Sequence, residues 1–369
     1  MNRPNRFRKI LIVGLAITGI ALRVVAVANL KPAELCGSDF CVFYAGGQLA
    51  GTPELYSASA VQKIEVRELG CSSPSARFIR LPYFAALMWP LIQLPFWPAF
   101  TLWRLLNMAA IGIFVWLWPA PREWTLLACA WSLPLAGCIT NGQDTGFLLM
   151  WLAIGVRLWK RDGPAKAGLA LAMCAAKFHM FVLLPLLAIG GFRKLVYGFT
   201  AGGALLLALC TAVQGWGWPS QFLAAVTDSR IDPAPDLLFN ARGLSHESVA
   251  LEIAMSASVV LAALYVFRSG DFWYGISAVL TGGLLLSHHN TGADPALLIP
   301  VALILAVDTR SKIAKLLAIF LVSPPAYFLM MTPSLADVPR MILLALAWLL
   351  AWEVRANCET APAFRLRVG

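Results

Sequence analysis

The chain has 369 residues, of which 59% are hydrophobic and only 13% charged, against roughly 25% charged in a soluble domain, and this excludes a water-soluble fold. Its net charge of +10 comes from Lys and Arg dispersed among short loops instead of covering one face, which argues against a nucleic-acid surface and for orientation in a membrane. Apolar runs follow each other too closely to leave room for a separate soluble unit, so residues 1–369 read as one membrane-embedded domain.

The first apolar run, Ile10 to Leu30, follows Arg3, Arg6, Arg8 and Lys9. At about 20 residues it is too long for a signal-peptide core, so it reads as a retained anchor. Further runs are Pro98 to Trp118, Trp124 to Ile139, Gly146 to Trp159, Ala165 to Ala176, Met180 to Gly191 and Leu195 to Val213. Val249 to Phe267, Phe272 to Ser287, Ala293 to Val307, Ile313 to Met331 and Val338 to Trp352 complete the set. The expected class is therefore all-α and polytopic, with about twelve transmembrane helices, several of them shorter than a full straight span.

Leu81 to Phe96 is apolar too, but it holds Pro82, Pro90 and Pro95 and runs for only about 16 residues, so it reads as interfacial or re-entrant. With that segment left uncrossed, Arg122, Lys160, Arg161, Lys166, Arg193, Lys194, Arg268, Arg310, Lys312 and Lys315 share one side with the basic N-terminus and Arg355. The positive-inside rule makes that side cytoplasmic. Both termini are then cytoplasmic, and residues 31–96 form a long first extracytoplasmic loop with interfacial segments.

Cys129, Cys138, Cys174, Cys210 and Cys358 lie in or beside apolar runs, where a cysteine acts as a small hydrophobe. Cys36, Cys41 and Cys71 share the first outer loop without metal-ligand spacing. In an oxidising compartment Cys71 pairs with Cys36 or with Cys41, leaving one free thiol.

Polar residues on the outer side gather in Ser38-Asp39, Asn141-Gly142-Gln143-Asp144, Lys177 with His179, His246-Glu247-Ser248 and His288-His289-Asn290. Ionisable groups at membrane depth are costly, and function is their default explanation. A carboxylate, a lysine and paired histidines at one rim suit glycosyl transfer from a phosphate: a base takes the acceptor proton while cations and N–H donors offset charge on the leaving group. Each also has a plain reading. Asp39 suits the N-cap of a helix starting at Phe40, Lys177 can snorkel from a helix end, and Gln143 sits in an Asn-Gly turn. Arg80 and Tyr83 suit interfacial anchoring, and adjacent histidines on a helix diverge by about 100°, so only one of the pair faces a given site.

The order SDFCVFYAGG, LYSAS, LPYFAALMWPLIQLPFWPAFTLWRLLN, NGQDTGFLLMWLA, AGLALAMCAAKFHMFVLLPLLA and SHHNTGADPALLIP, from about Ser38 to Pro300, resembles glycosyltransferase family 87. The resemblance implies the C-type glycosyltransferase superfold and an inverting transferase with an extracytoplasmic active site. It makes Asp39 the candidate general base, Lys177, His288 and His289 donor-phosphate ligands, and Gln143 a substrate contact. Asn141, Arg80, Tyr83 and His246 join as further substrate-contact candidates. The implied reaction moves a sugar, mannose in the leading reading and arabinose in the alternative, from a polyprenyl-phosphate donor to a lipid-linked or cell-envelope acceptor. Donor, acceptor and membrane lipids are then the partners, nucleic acid is not, and the location is the cell membrane. A lipid monophosphate donor lacks the diphosphate that recruits a divalent ion and the chain has no Asp-x-Asp motif, so neither metal nor cofactor is expected. A secondary transporter or lipid flippase is the rival class, and it calls for repeated halves and midplane charges that this pattern does not display.

Overall fold

A computed structural model of the chain describes residues 3–28, 35–74, 76–161, 163–228, 238–290 and 292–359. The end of the first apolar run at Leu30, the start of the next loop at Lys31, and the side chains of Arg3, Arg6 and Cys358 lie outside what is described. All regular structure among the described residues is helical. Helix α1 (Arg3–Ala28) covers most of the first apolar run. The loop after it carries α2 (Asp39–Leu49), α3 (Ala58–Leu69), α4 (Pro82–Leu87) and α5 (Trp89–Ile92), and then enters α6 (Phe96–Leu117).

The proline-rich stretch behaves as its chemistry requires. Pro82 and Pro90 sit in the first turns of α4 and α5, where a missing N–H breaks no helical bond, and Pro95 precedes α6. Helices of 6 and 4 residues rise only about 9 and 6 Å, too little for a hydrocarbon core of about 30 Å. Aromatic rings bind the loop to the bundle, with Phe40 stacked on Phe100 at 4.8 Å and Phe43 edge-on to Trp103 at 6.1 Å. Tyr44 donates to the Leu94 carbonyl at 2.9 Å and Tyr56 to that of Arg80 at 3.1 Å.

The disulfide joins Cys36 to Cys71, with Cα atoms 6.0 Å apart, and Cys41 is the free thiol. Buried Glu65 sits beside this bridge. It accepts from the N–H groups of Gly37 and Ser73, both at 3.1 Å, and from the Cys41 thiol, so both chain segments carrying the bridge are held by one carboxylate. Cys129, Cys138, Cys174 and Cys210 are buried as expected of small hydrophobes.

The later apolar runs are helical, though often in pieces. Trp124 to Ile139 divides into α7 (Arg122–Trp131) and α8 (Leu133–Asn141) at Ser132, whose hydroxyl caps α8 by accepting from the Leu135 N–H at 3.3 Å. α9 (Thr145–Arg161) follows, then α10 (Pro164–Ala172), which continues into 3₁₀ segments Met173–Phe181 and Leu184–Gly190. The chain bends by 101° there. After α11 (Arg193–Gln214), α12 (Trp218–Val226), α13 (Ala241–Ser245), α14 (Val249–Arg268) and α15 (Phe272–Leu286), the 3₁₀ turn Asp294–Leu297 leads into α16 (Leu298–Asp308). α17 (Lys312–Leu321) and α18 (Pro324–Met330) meet at a 64° bend, and α19 (Asp337–Glu359) ends the bundle.

Among the described residues, four helices are long and apolar enough to cross a membrane: Phe96–Leu117, Arg193–Gln214, Val249–Arg268 and Pro333–Ala356. There are six if each bent pair counts as one span. Leu205 and Leu209 on α11, Ile253 and Leu261 on α14, and Met341 and Trp352 on α19 are exposed, the arrangement expected of helices that face lipid instead of water. At one end of the bundle Trp159 stacks on Phe272 at 4.7 Å and meets Phe192 at 5.2 Å, while Lys160 lies over Trp273 at 4.5 Å. The basic ends of α9 and α11 therefore meet the start of α15. The start of α9 and the end of α15 point to the opposite end, where the polar motifs converge.

Candidate active site

α2 begins with a division of labour between neighbours. The Ser38 hydroxyl caps the helix, accepting from the Cys41 N–H at 3.3 Å. Asp39 is the first helical residue, and its carboxylate is therefore not the side-chain cap that its position first suggested. It accepts instead from the Asn141 side-chain amide of the α8–α9 turn.

That turn is shaped by Gly142, which adopts a left-handed conformation (φ 74°) at the end of α8. A Cβ there would stand 2.4 Å from the Phe40 Cβ, so glycine alone permits both the turn and the approach of α2. The Trp103 indole donates to the Gly142 carbonyl at 2.7 Å, and Arg104 donates to the carbonyls of Ile139 and Thr140 at 3.2 and 3.1 Å. Asn141 is thereby fixed against Asp39.

Behind this rim lies a buried chain of charges. Arg80 Nη2 donates to Asp144 Oδ1 at 3.3 Å and approaches Gln143 Oε1 at 3.5 Å. Lys177 Nζ is 3.5 Å from the same Asp144 oxygen, 3.5 Å from Thr145 Oγ1, and in direct contact with Asp294 Oδ1. Arg80 is 7% exposed, Asp144 1%, Lys177 2% and Asp294 2%. Lys177 reaches this position because its backbone leaves helical geometry (φ −125°, ψ 60°), breaking the 3₁₀ segment. The bend is held tightly against α15, since a Cβ on Gly283 would lie 1.8 Å from the Met180 carbonyl.

Asp39 is half-buried and lies within electrostatic reach of Lys177, Arg80, Asp144 and Asp294. Burial raises its carboxyl from the ordinary range to about 6 and outweighs the opposing pull of Lys177 and Arg80, while Asp144 and Asp294 push it further up. A carboxylate of that kind is ionised near neutral pH yet basic enough to take a proton. Three polar atoms of the group behind it are buried without a hydrogen-bond partner among the described residues: Arg80 Nε, Asp144 Oδ2 and the hydroxyl of Tyr83, which lies within electrostatic reach of both.

The histidines divide. His179 lies within electrostatic reach of Lys177, Arg80, Asp294 and His289, which puts His289 on the side of the charged chain. His288 is exposed, and its Nε2 accepts from Arg242 at 2.7 Å. The backbone carrying both is stitched to a neighbouring strand of chain. Asn290 accepts from the Phe239 N–H at 2.8 Å and donates to its carbonyl at 2.6 Å, and Asn240 donates to the Ser287 carbonyl at 2.5 Å. Buried Arg340 of α19 pins that strand through the Leu238 and Gly243 carbonyls at 2.7 and 3.2 Å. His246 joins this second group instead of the charged chain: it adopts a left-handed conformation (φ 47°) and its ring pairs with Asp337 at 2.8 Å.

The structure thus brings Asp39, Asn141, Gln143, Arg80 and Lys177 together, with Tyr83 beside Asp144 and Arg80 and His289 at the edge, where the His288 ring meets it edge-on at 4.9 Å, and leaves His246 with Asp337. Asp294 and Asp144 were the partners that reading the sequence did not assign. Asp144 adjoins Gln143 in a turn already singled out; Asp294, next to Pro295 in a short polar stretch, carried no signal of its own. Among the described residues, no group of three or more His, Cys, Asp or Glu side chains is placed to hold a metal ion.

No curated protein and no solved structure matches the chain. The family model for glycosyltransferase family 87 matches residues 78–324, which take in every residue of the charged chain while leaving Asp39 upstream. That match covers well over half of the sequence, and the chain belongs to glycosyltransferase family 87.

Proposed function

We propose that this membrane glycosyltransferase is an inverting enzyme that moves mannose from a polyprenyl-phosphate donor to a hydroxyl of a lipid-linked or cell-envelope acceptor, on the extracytoplasmic side of the cell membrane. The observation that carries this reading is the half-exposed Asp39 carboxylate, oriented by Asn141 beside buried Lys177 and Arg80. The acceptor hydroxyl binds at Asp39, which takes its proton as the oxygen attacks the anomeric carbon. The bond from that carbon to the phosphate oxygen breaks, and its electron pair leaves with the phosphate. Lys177, Arg80 and the His289 imidazole offset the charge that develops there. Gln143, Asn141 and Tyr83 orient the sugar.

About twelve crossings in a C-type arrangement, with both termini cytoplasmic, fit the placement of the basic helix ends opposite Asp39. Helices that stop short of a full span are tolerated where they line a protein-enclosed cavity. The test is transfer by the purified protein from polyprenyl-phosphate mannose and from polyprenyl-phosphate arabinose, each labelled in the sugar. Transfer from mannose alone supports the reading, and transfer from arabinose alone replaces the sugar. Failure with both, alongside transfer from a nucleotide sugar or lipid movement without transfer, refutes it.

A further inference from the structure

Lys177, the donor-phosphate residue of the proposed reaction, is not a bare cation. Its ammonium is shared between Asp294 and Asp144, and Asp144 is shared in turn with Arg80. The two acids cancel the two bases, and Asp39 adds a further negative charge within electrostatic reach. Removing four charges from water is expensive compared with apolar packing, so a site needing only positive potential has no use for both acids.

The chemistry of the leaving group supplies a reason. The donor is a phosphodiester with a single negative charge. Once the acceptor oxygen has bonded to the anomeric carbon and its proton has passed to Asp39, the departing polyprenyl phosphate is a monoester carrying about −1.5 to −2 near pH 7, as other phosphate monoesters do. Uncompensated cations would bind that product more tightly than the donor and retain it.

We propose that Asp294 and Asp144 are positioning residues that fix Lys177 and offset its charge, so that the site stabilises the departing phosphate without holding the product. The assignment rests on the polyprenyl-phosphate reading above. Its test uses the full chain in detergent micelles and farnesyl phosphate as a short product analogue. In Asp294→Asn the inhibition constant for farnesyl phosphate falls at least about tenfold, a modest share of the Coulomb interaction between nearby unit charges. The steady-state rate drops more than the single-turnover rate, because release becomes limiting, and Asp294→Glu restores both. Asp144→Asn removes the same charge from the other side of Lys177 and shifts the inhibition constant in the same direction.

Wild-type enzyme inhibited by farnesyl phosphate, with an unchanged constant in the folded variants and equal losses in both rates, overturns this assignment alone. Wild-type enzyme with no inhibition overturns the donor reading, and this assignment with it. If neither Asp→Asn variant folds, the pairs are structural and the assignment falls.

Discussion

Replacing Asp39 by asparagine separates a base from a helix terminus. Ser38 supplies the cap of α2, so the substitution leaves the helix start intact, and the Asn carbonyl oxygen can still accept from Asn141. One charge-assisted hydrogen bond becomes a neutral one, a change of about 1 kcal/mol in stability. Transfer, by contrast, loses its proton acceptor and falls by at least about 10²-fold. The assay is sugar transfer in membranes at matched protein levels, alongside thermal unfolding and donor binding. The wild type adds a second reading of the same residue. With the Asp39 carboxyl raised to about 6 by burial, the protonated form prevails below that pH and cannot accept a proton, so kcat/KM climbs with pH through about 6 and levels above it. Stability runs the other way: the folded state binds this proton more tightly than the unfolded chain, so the contribution is present at low pH and lost as pH rises from about 4 to about 6. An Asn variant that transfers within tenfold of wild type, or a wild-type profile that is flat between pH 5 and 7 (about one unit either side of the carboxyl), refutes the reasoning.

Cys36→Ser opens the bridge to Cys71, which spans 35 positions; loop-closure entropy puts the loss at about 2–4 kcal/mol, read as a lower unfolding temperature that reductant reproduces in the wild type. Non-reducing peptide mapping finds Cys36 linked to Cys71 and Cys41 free. Gly142→Ala meets both a left-handed backbone and a contact with Phe40, costs at least about 1–3 kcal/mol and slows transfer by displacing Asn141; transfer and unfolding both at wild-type values argue against the fixed turn. Tyr83→Phe removes a buried hydroxyl that has no partner among the described residues, so unfolding temperature holds or rises, and any fall in donor affinity locates that hydroxyl at the substrate.

Membrane residence, helical class and the gathering of cations at one set of helix ends were legible along the chain, because each follows from local apolarity and charge placement. Asn141, Gly142 and Gln143 were legible as a turn, since an Asn-Gly pair signals one wherever it stands. The proline spacing in Leu81 to Phe96 likewise announced helices too short to span, as α4 and α5 are. What the turn faces was not legible: only the close approach of Phe40 to Gly142 sets Asn141 against Asp39. The choice of Ser38 over Asp39 as cap turned on side-chain geometry that two adjacent capping residues leave open. The pairing of Cys71 with Cys36 instead of Cys41 depended on how α2 and α3 fold around Glu65. Above all, Lys177 and Asp294 stand 117 positions apart, and nothing local to either marks the other as its partner. A buried charge takes its partner from whatever the packed helices bring alongside, so the charge balance of this site belongs to the tertiary structure.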